Sequence, residues 1–266
     1  MSEVRSDGQL LCETADGIAT VTISNPAKRN AMTAGMWSAF PALLDELAVD
    51  RAVRVVVLRG AGDTFCAGAD LDGLPELLSG AGPRAPAEAE EALAAFCKPT
   101  IAAIAGYCLG GGAQLAVACD LRFAATDARF GISPAKLGVV YQATALGRLV
   151  ELVGTAATKR LIYSGETIDA ARALSIGLVD DLTPAAELGD TVRGFAVELT
   201  ARSQLTLQAT KSLLGNLGTE STSRIERAWQ AEALRSGEAA EGISAFAERR
   251  PPRFPWTGAG FPQPDS

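Results

Sequence analysis

The densest run of chemistry-bearing residues in this chain is Gly106-Tyr107-Cys108-Leu109-Gly110-Gly111-Gly112-Ala113-Gln114. An apolar run over 99–105 leads in and reads as a buried strand, and a helical run over 113–119 leads out. Glycines at a strand-to-helix junction permit backbone angles closed to other residues. They also let a ligand reach the main chain without meeting a Cβ. The helix start adds unpaired N–H groups and the positive end of the helix dipole. Such a junction can hold an anion, or an oxygen that becomes one during reaction; a close-packed glycine turn is the structural alternative. A second glycine loop, Arg59 to Asp70, follows another apolar strand over 53–58 and offers a second set of bare N–H groups. Lys28 and Arg29 are adjacent cations in the loop 25–30, with solvated charges as the plain reading.

The chain has no histidine. A Ser-His-Asp triad, a Cys-His pair, a His general base and His metal ligands are therefore excluded. Catalysis falls to carboxylates, Tyr, Ser, Lys, amides or the backbone, and no metal site is expected. The cysteines, Cys12, Cys66, Cys97, Cys108 and Cys119, are odd in number and form no C-x-x-C pair. Most sit among apolar neighbours, which points to reduced, buried thiols and a cytoplasmic protein. A net charge of −7 with no strong basic run argues against nucleic acid as a partner. Any phosphate-bearing ligand needs local Lys or Arg against that field. The first residues lack the apolar core of a signal peptide, and no apolar run reaches membrane-spanning length.

The elements that must position these groups follow from patterning. Strands are predicted over 10–13 and 18–24 across a turn at Asp16-Gly17. Thr33 should cap a helix that buries Met36, Trp37, Phe40, Leu43, Leu44 and Leu47, with a kink or break at Pro41. Strand–helix alternation over 53–120 fits an α/β core. Residues 79–91, rich in Gly, Pro, Ala and Glu, read as a surface loop. A strand over 120–125, a loop-rich passage over 130–142, helices over 146–153 and 155–164 split by Gly154, a short helix over 169–175 and a strand over 179–182 complete the core. From Pro184 the pattern is helical, broken near Arg202, Gly215 to Gly218 and Gly237. Trp229, Leu234, Ile243 and Phe246 are too apolar for a free surface and should pack on the core or on another subunit.

These motifs, in this order, resemble the crotonase superfamily, which includes enoyl-CoA hydratases and isomerases. The signatures are Asn25-Pro-Ala-Lys-Arg-Asn30-Ala-Met, Phe65-Cys-Ala-Gly-Ala-Asp70-Leu, the Gly106 to Gln114 run, Cys119-Asp120-Leu, Phe130-Gly131, Lys136-Leu-Gly138 and Gly242-Ile-Ser-Ala-Phe246. The resemblance spans residues 11 to about 254. It implies an α/β fold, a spiral of ββα units over 1–198, with a helical oligomerisation region over 199–266. It also implies a homotrimer or a hexamer made as a dimer of trimers. The implied ligand is a coenzyme A thioester, as substrate, with no prosthetic group. The shared chemistry is a thioester enolate held by two backbone N–H groups, by position those of Ala69 and Gly111. Coenzyme A contacts carry over to Lys28 and Arg29 for the phosphates, and to Ala67, Asp70, Leu71 and Asp72 around the adenine. Phe246 and Arg249 match positions that reach a neighbour's ligand.

The sequence departs from the family at its proton shuttle. Hydratases of this family use two glutamates to activate water. Their positions here are Gln114 and Pro134, so the enolate framework remains while both acid/base groups are gone. Tyr141 and Gln142 stand where hydratases often have Pro-Gly. Ser133 to Tyr141 is similar to the corresponding stretch of the methylmalonyl-CoA decarboxylase branch, although Ala69 stands where that branch has histidine. Loss of CO₂ makes an enolate without a base; Tyr141 and Gln114 can orient the departing carboxylate, and Tyr141 or water can return a proton. Structural roles for Gln114 and Tyr141 remain alternatives, as does a carboxylate from elsewhere, such as Asp72, Glu76 or Glu166. Three functions stay open: an acyl-CoA enzyme with altered acid/base chemistry, a malonyl- or methylmalonyl-CoA-type decarboxylase, and a non-catalytic acyl-CoA binder.

Overall fold

The computed structural model describes residues 8–70, 72 and 85–258. Strands β1 (Gln9–Ala15) and β2 (Ile18–Ser24) form an antiparallel hairpin. Its two-residue turn places Asp16 and Gly17 at φ 53° and 81°, the left-handed geometry that matches strand twist. Strands β3 (Val55–Gly60), β4 (Thr100–Ile104), β6 (Leu121–Ala125) and β9 (Asp181–Thr183) then add in parallel, giving a six-stranded sheet ordered β1-β2-β3-β4-β6-β9. Burial of β3 on both faces explains its unbroken valine run. A second sheet joins β5 (Tyr107–Leu109), β7 (Arg129–Gly131) and β8 (Thr167–Asp169). These three-residue strands were not expected, because three residues are too few to show a period. β7 lies inside the passage predicted to be loop-rich.

Helix α1 (Ala34–Val49) is capped by the Thr33 hydroxyl, which accepts from the Met36 N–H. It runs through Pro41 without the expected break. Buried Trp37 and Phe40 before the proline and Leu44 and Leu47 after it face one core, and that burial outweighs the missing backbone bond. Helix α2 (Ala85–Ala94) corrects the loop predicted over 79–91, whose residues 79–84 lie outside those described. It buries Ala85, Ala89, Glu90 and Leu93 at helical spacing, a pattern masked by the surrounding Gly and Pro. Helix α3 (Gly111–Ala118) leaves the glycine run, and the short α4 (Pro134–Leu137) follows β7. Helix α5 (Ala143–Ser164) is interrupted where expected, at Gly154, whose φ of 74° and ψ of 163° are non-helical.

Helix α6 (Ala170–Ser175) is capped by Asp169, and α7 (Leu188–Thr200) lies across β2, β3, β4 and β6. Helices α8 (Gln204–Gly215), α9 (Thr222–Ser236) and α10 (Glu238–Glu248) follow. A small separate cluster of Leu205, Ile225 and Trp229 ties α8 to α9, with Trp256 tilted 6.0 Å from Trp229. Trp229 is thus packed as expected, whereas Leu234, Ile243 and Phe246 are 88%, 71% and 88% exposed on this chain. Among the described residues, no helix is long and apolar enough to cross a membrane.

Candidate functional site

The two glycine loops are stitched into one backbone assembly. Cys66 and Cys108 form an isolated bridge: the Cys66 N–H donates to the Tyr107 carbonyl and the Leu109 N–H to the Cys66 carbonyl, both at 2.9 Å. On its other side the first loop pairs with Met32, whose N–H donates to the Gly68 carbonyl at 2.8 Å and whose carbonyl accepts from Asp70 at 2.9 Å. Successive N–H groups of extended chain alternate in direction, so the Ala69 N–H points away from Met32. Gly110, at φ 51°, turns the chain into α3, and its N–H donates to the Gly131 carbonyl. Gly111 opens the helix and has no acceptor within it.

Ala69 and Gly111 lie against each other. A Cβ built on Gly111 would stand 3.5 Å from the Ala69 nitrogen and 2.9 Å from Trp37 Cζ2. A Cβ on Gly68 would stand 3.5 Å from the Gly111 nitrogen. Among the described residues, neither the Ala69 nor the Gly111 N–H has a hydrogen-bond partner. Two free, neighbouring N–H groups, one at a helix start, form a ready donor pair for one oxygen. The next glycine is packing: a Cβ on Gly112 would fall 2.5 Å from the Cys66 carbonyl oxygen.

Gln114 and Tyr141 come together. They line one pocket with Val117, Ile132 and Leu149, too narrow to admit a water molecule. The Tyr141 hydroxyl is buried without a partner. Burial first, then the charges of Glu90 and Cys108, push this phenol well above its ordinary pKa. Pro134 is buried at the start of α4.

Lys28, Asp70 and Asp72 also converge, but on each other. The Lys28 ammonium donates to both Asp70 oxygens, at 2.8 and 2.6 Å, and to Asp72 at 2.6 Å. The Asp70 bond, then the Asp72 bond, raise the Lys28 pKa. Arg29, at φ 51°, lays its guanidinium 5.5 Å from the Tyr107 ring centre, and its carbonyl accepts from the Ala67 N–H. Leu71 lies outside the described residues. Phe246 is exposed, and Arg249 closes α10 in the left-handed region. Among the described residues, no hydrogen bond, ion pair or cation–π contact joins either to the glycine loops.

A sequence model of the enoyl-CoA hydratase/isomerase family matches residues 13–257. The chain belongs to that family. A Bacillus subtilis protein named a probable enoyl-CoA hydratase is 36% identical over 245 residues, covering 89% of this chain and 95% of its own. The 2,3-dehydroadipyl-CoA hydratase of Escherichia coli is 32% identical, with 92% and 98% covered. A crystal structure of an enoyl-CoA hydratase/isomerase family member superposes with a TM-score of 0.91 at 38% identity, covering 95% of this chain and 98% of that one. The crotonase-type fold and an acyl-CoA enzyme of the hydratase/isomerase family are thereby established for this chain.

The roles of two residues of this family member escaped the sequence reading. Glu90 on α2 is 1% exposed. Its Oε1 accepts from Arg148 Nη1 at 2.7 Å, while its Oε2 is buried and unpaired. Burial pushes its carboxyl up, against the opposing pull of Arg148. A polar residue beside Ala89 on a buried helical face was the available signal, hidden by reading the segment as loop. Asn30, 1% exposed, ties its own loop at Asn25 to the first glycine loop at Ala61 and Thr64 through its side chain. Of the carboxylates weighed as substitutes, Asp72 is on Lys28, Glu166 is on Arg160 at 2.7 Å, and Glu76 lies outside the described residues.

Proposed function

We propose that this chain converts a coenzyme A thioester through an enolate whose oxygen is held by the Ala69 and Gly111 N–H groups. The observation that carries this reading is the pair of adjacent, unpartnered backbone donors where the two glycine loops meet. Gln114 and Pro134 stand at the positions of the family's two glutamates, so the proton is moved by another group, with Tyr141 facing Gln114 across one pocket. Lys28, Arg29, Ala67, Asp70, Leu71 and Asp72 are the coenzyme A side of the site. No prosthetic group is required.

The test is loss of conjugated enoyl absorbance from crotonyl-CoA, run beside calorimetric binding of coenzyme A. Hydration at an enzymatic rate is expected if the altered acid/base set still delivers water. A second reading, decarboxylation, is favoured by the buried, unpartnered Tyr141 hydroxyl beside Gln114, which can orient a carboxylate. CO₂ release from malonyl-CoA without crotonyl-CoA hydration would select it. Binding with no turnover of either thioester would leave a non-catalytic binder.

The same reading places several copies around the ligand. Exposure of Leu234, Ile243 and Phe246 on the C-terminal helices supports association through them. Light scattering is expected to give three or six times the chain mass of 27.5 kDa. A monomer at micromolar concentration would overturn this.

A further inference from the structure

A cleft of about 620 Å³ lies between α2, α5 and α8, and neither glycine loop lines it. That volume suits a small molecule. Two features of its walls have no explanation in the packing of this chain. Gln208, on α8, lines the cleft and is only 8% exposed, yet its amide has no hydrogen-bond partner among the described residues. Buried amides are nearly always paired. Gly147, inside α5, lines the cleft as well, and a Cβ built on it would meet nothing within 4 Å. Glycine weakens a helix interior relative to alanine, and here no neighbouring atom demands it.

The charges around the cleft narrow the kind of molecule that fits. Its cations are already spent on the protein. Arg148 donates to Glu90 and Glu91, at 2.7 and 2.8 Å, and Lys211 donates to Asp120 and to the Lys98 carbonyl, at 2.8 and 3.2 Å. Its acceptors are not spent. Glu151, on α5, lines the cleft with no ion pair or hydrogen bond among the described residues. Asn216, just past α8, gives one N–H to the Ser212 carbonyl at 2.9 Å and keeps its side-chain oxygen unbound among the described residues. Free acceptors beside neutralised cations favour a ligand that is positively charged and rich in N–H donors.

We propose that the cleft between α2, α5 and α8 is a second binding site, for a small aliphatic amine. Its ammonium pairs with the Glu151 carboxylate, and the side-chain oxygens of Gln208 and Asn216 accept its remaining N–H groups. Its methylene chain lies along the wall that Gly147 leaves open. None of these side chains belongs to the thioester site proposed above.

Putrescine, butanediol and succinate share one carbon-chain length and differ in charge. In calorimetric titrations of the full chain, putrescine is expected to bind, the diol roughly 10-fold more weakly, and succinate not at all. Glu151→Gln and Gln208→Leu should each weaken putrescine roughly 10-fold. Gly147→Leu builds a side chain into the open space and should abolish binding. Gln208→Leu should not lower the melting temperature, because an amide without a partner adds nothing to the fold. Cys97 lines the same cleft and, in a Cys12→Ser background, is the only thiol that is not buried. Its reaction with dipyridyl disulfide should slow as putrescine fills the cleft.

Equal affinity for the three compounds, or none for putrescine, overturns the proposal. So does a Gln208→Leu variant that melts lower and binds putrescine as the wild type does, since the amide then serves the fold. A Cys97 thiol that is unreactive in the free protein, with no putrescine bound on addition, overturns it too and means that another copy of this chain fills the cleft.

Discussion

Gly111→Pro is expected to lower turnover of whichever thioester the protein consumes by about 10²–10³ relative to Gly111→Ala, the cost of one lost oxyanion donor. The comparison with alanine matters. Either substitution adds a Cβ that meets Trp37 Cζ2 at 2.9 Å, so both variants carry the same collision with a fully buried indole. Only proline removes the N–H. Position 111 is the first residue of α3, where proline is tolerated because that N–H has no helical acceptor. Gly110 before it sits at φ 51° and ψ −116°, an extended mirror-image conformation that a following proline accepts. A Trp37→Phe background relieves the collision and repeats the comparison with less strain. The measurement is kcat for both variants, with coenzyme A affinity as the control. Equal kcat in proline and alanine variants would show that the Gly111 N–H holds nothing in the transition state.

Asn30→Ala is expected to destabilise the fold by about 3–5 kcal/mol, from two mechanisms that add at one residue. Its side chain accepts from the Asn25 N–H at 3.1 Å and donates to the carbonyls of Ala61 and Thr64 at 2.8 and 2.6 Å. Alanine leaves a buried donor and two carbonyls unpaired, at about 1–3 kcal/mol for each group left without solvent or partner. Asn30 also sits at φ 59°, where alanine costs about 1 kcal/mol more than asparagine or glycine. Asn30→Gly separates the two contributions, restoring the backbone freedom but not the bonds. A melting temperature lower by roughly 10 °C is expected for the alanine variant, with glycine recovering a few degrees. No change would mean that the loop 25–30 is held by its backbone bonds alone. Because Ala61 and Thr64 lead directly into Phe65 to Ala69, turnover should fall with stability.

What the sequence made legible divides by the length over which a pattern is written. The hairpin at Asp16-Gly17, the Thr33 cap and the Gly154 break each depend on one or two residues with a strong local preference, and each stands where patterning put it. Pro41 has an equally strong preference, yet Trp37, Phe40, Leu44 and Leu47 override it, and such tertiary burial is invisible one residue at a time. Helix α2 was lost because its alanines follow Gly-, Pro- and Arg-bearing chain, so composition spoke louder than spacing. At the site, the adjacency of Ala69 and Gly111 and of Gln114 and Tyr141 was expected from the family resemblance, since no spacing along the chain brings positions 69 and 111 together. Lys28 was read as a cation for phosphates; its pairing with Asp70 and Asp72 depends on loops that only the fold apposes. Glu90 belongs to no motif, and its burial against Arg148 spans 58 residues of sequence.

The bridge between Cys66 and Cys108 has a consequence for how this scaffold tolerates change. The loop bearing Ala69 follows the six-stranded sheet, whereas the turn bearing Gly111 follows β5 of the smaller one. The spacing of the two N–H groups is therefore a dimension of the main chain, gauged by ladder bonds of 2.9 Å between the sheets. Side chains around that gauge, such as Gln114 and Pro134, are not what sets its width. Expansion of either buried thiol would act differently: Cys66 lies directly beneath Gly112, so added bulk there pries the gauge open from below.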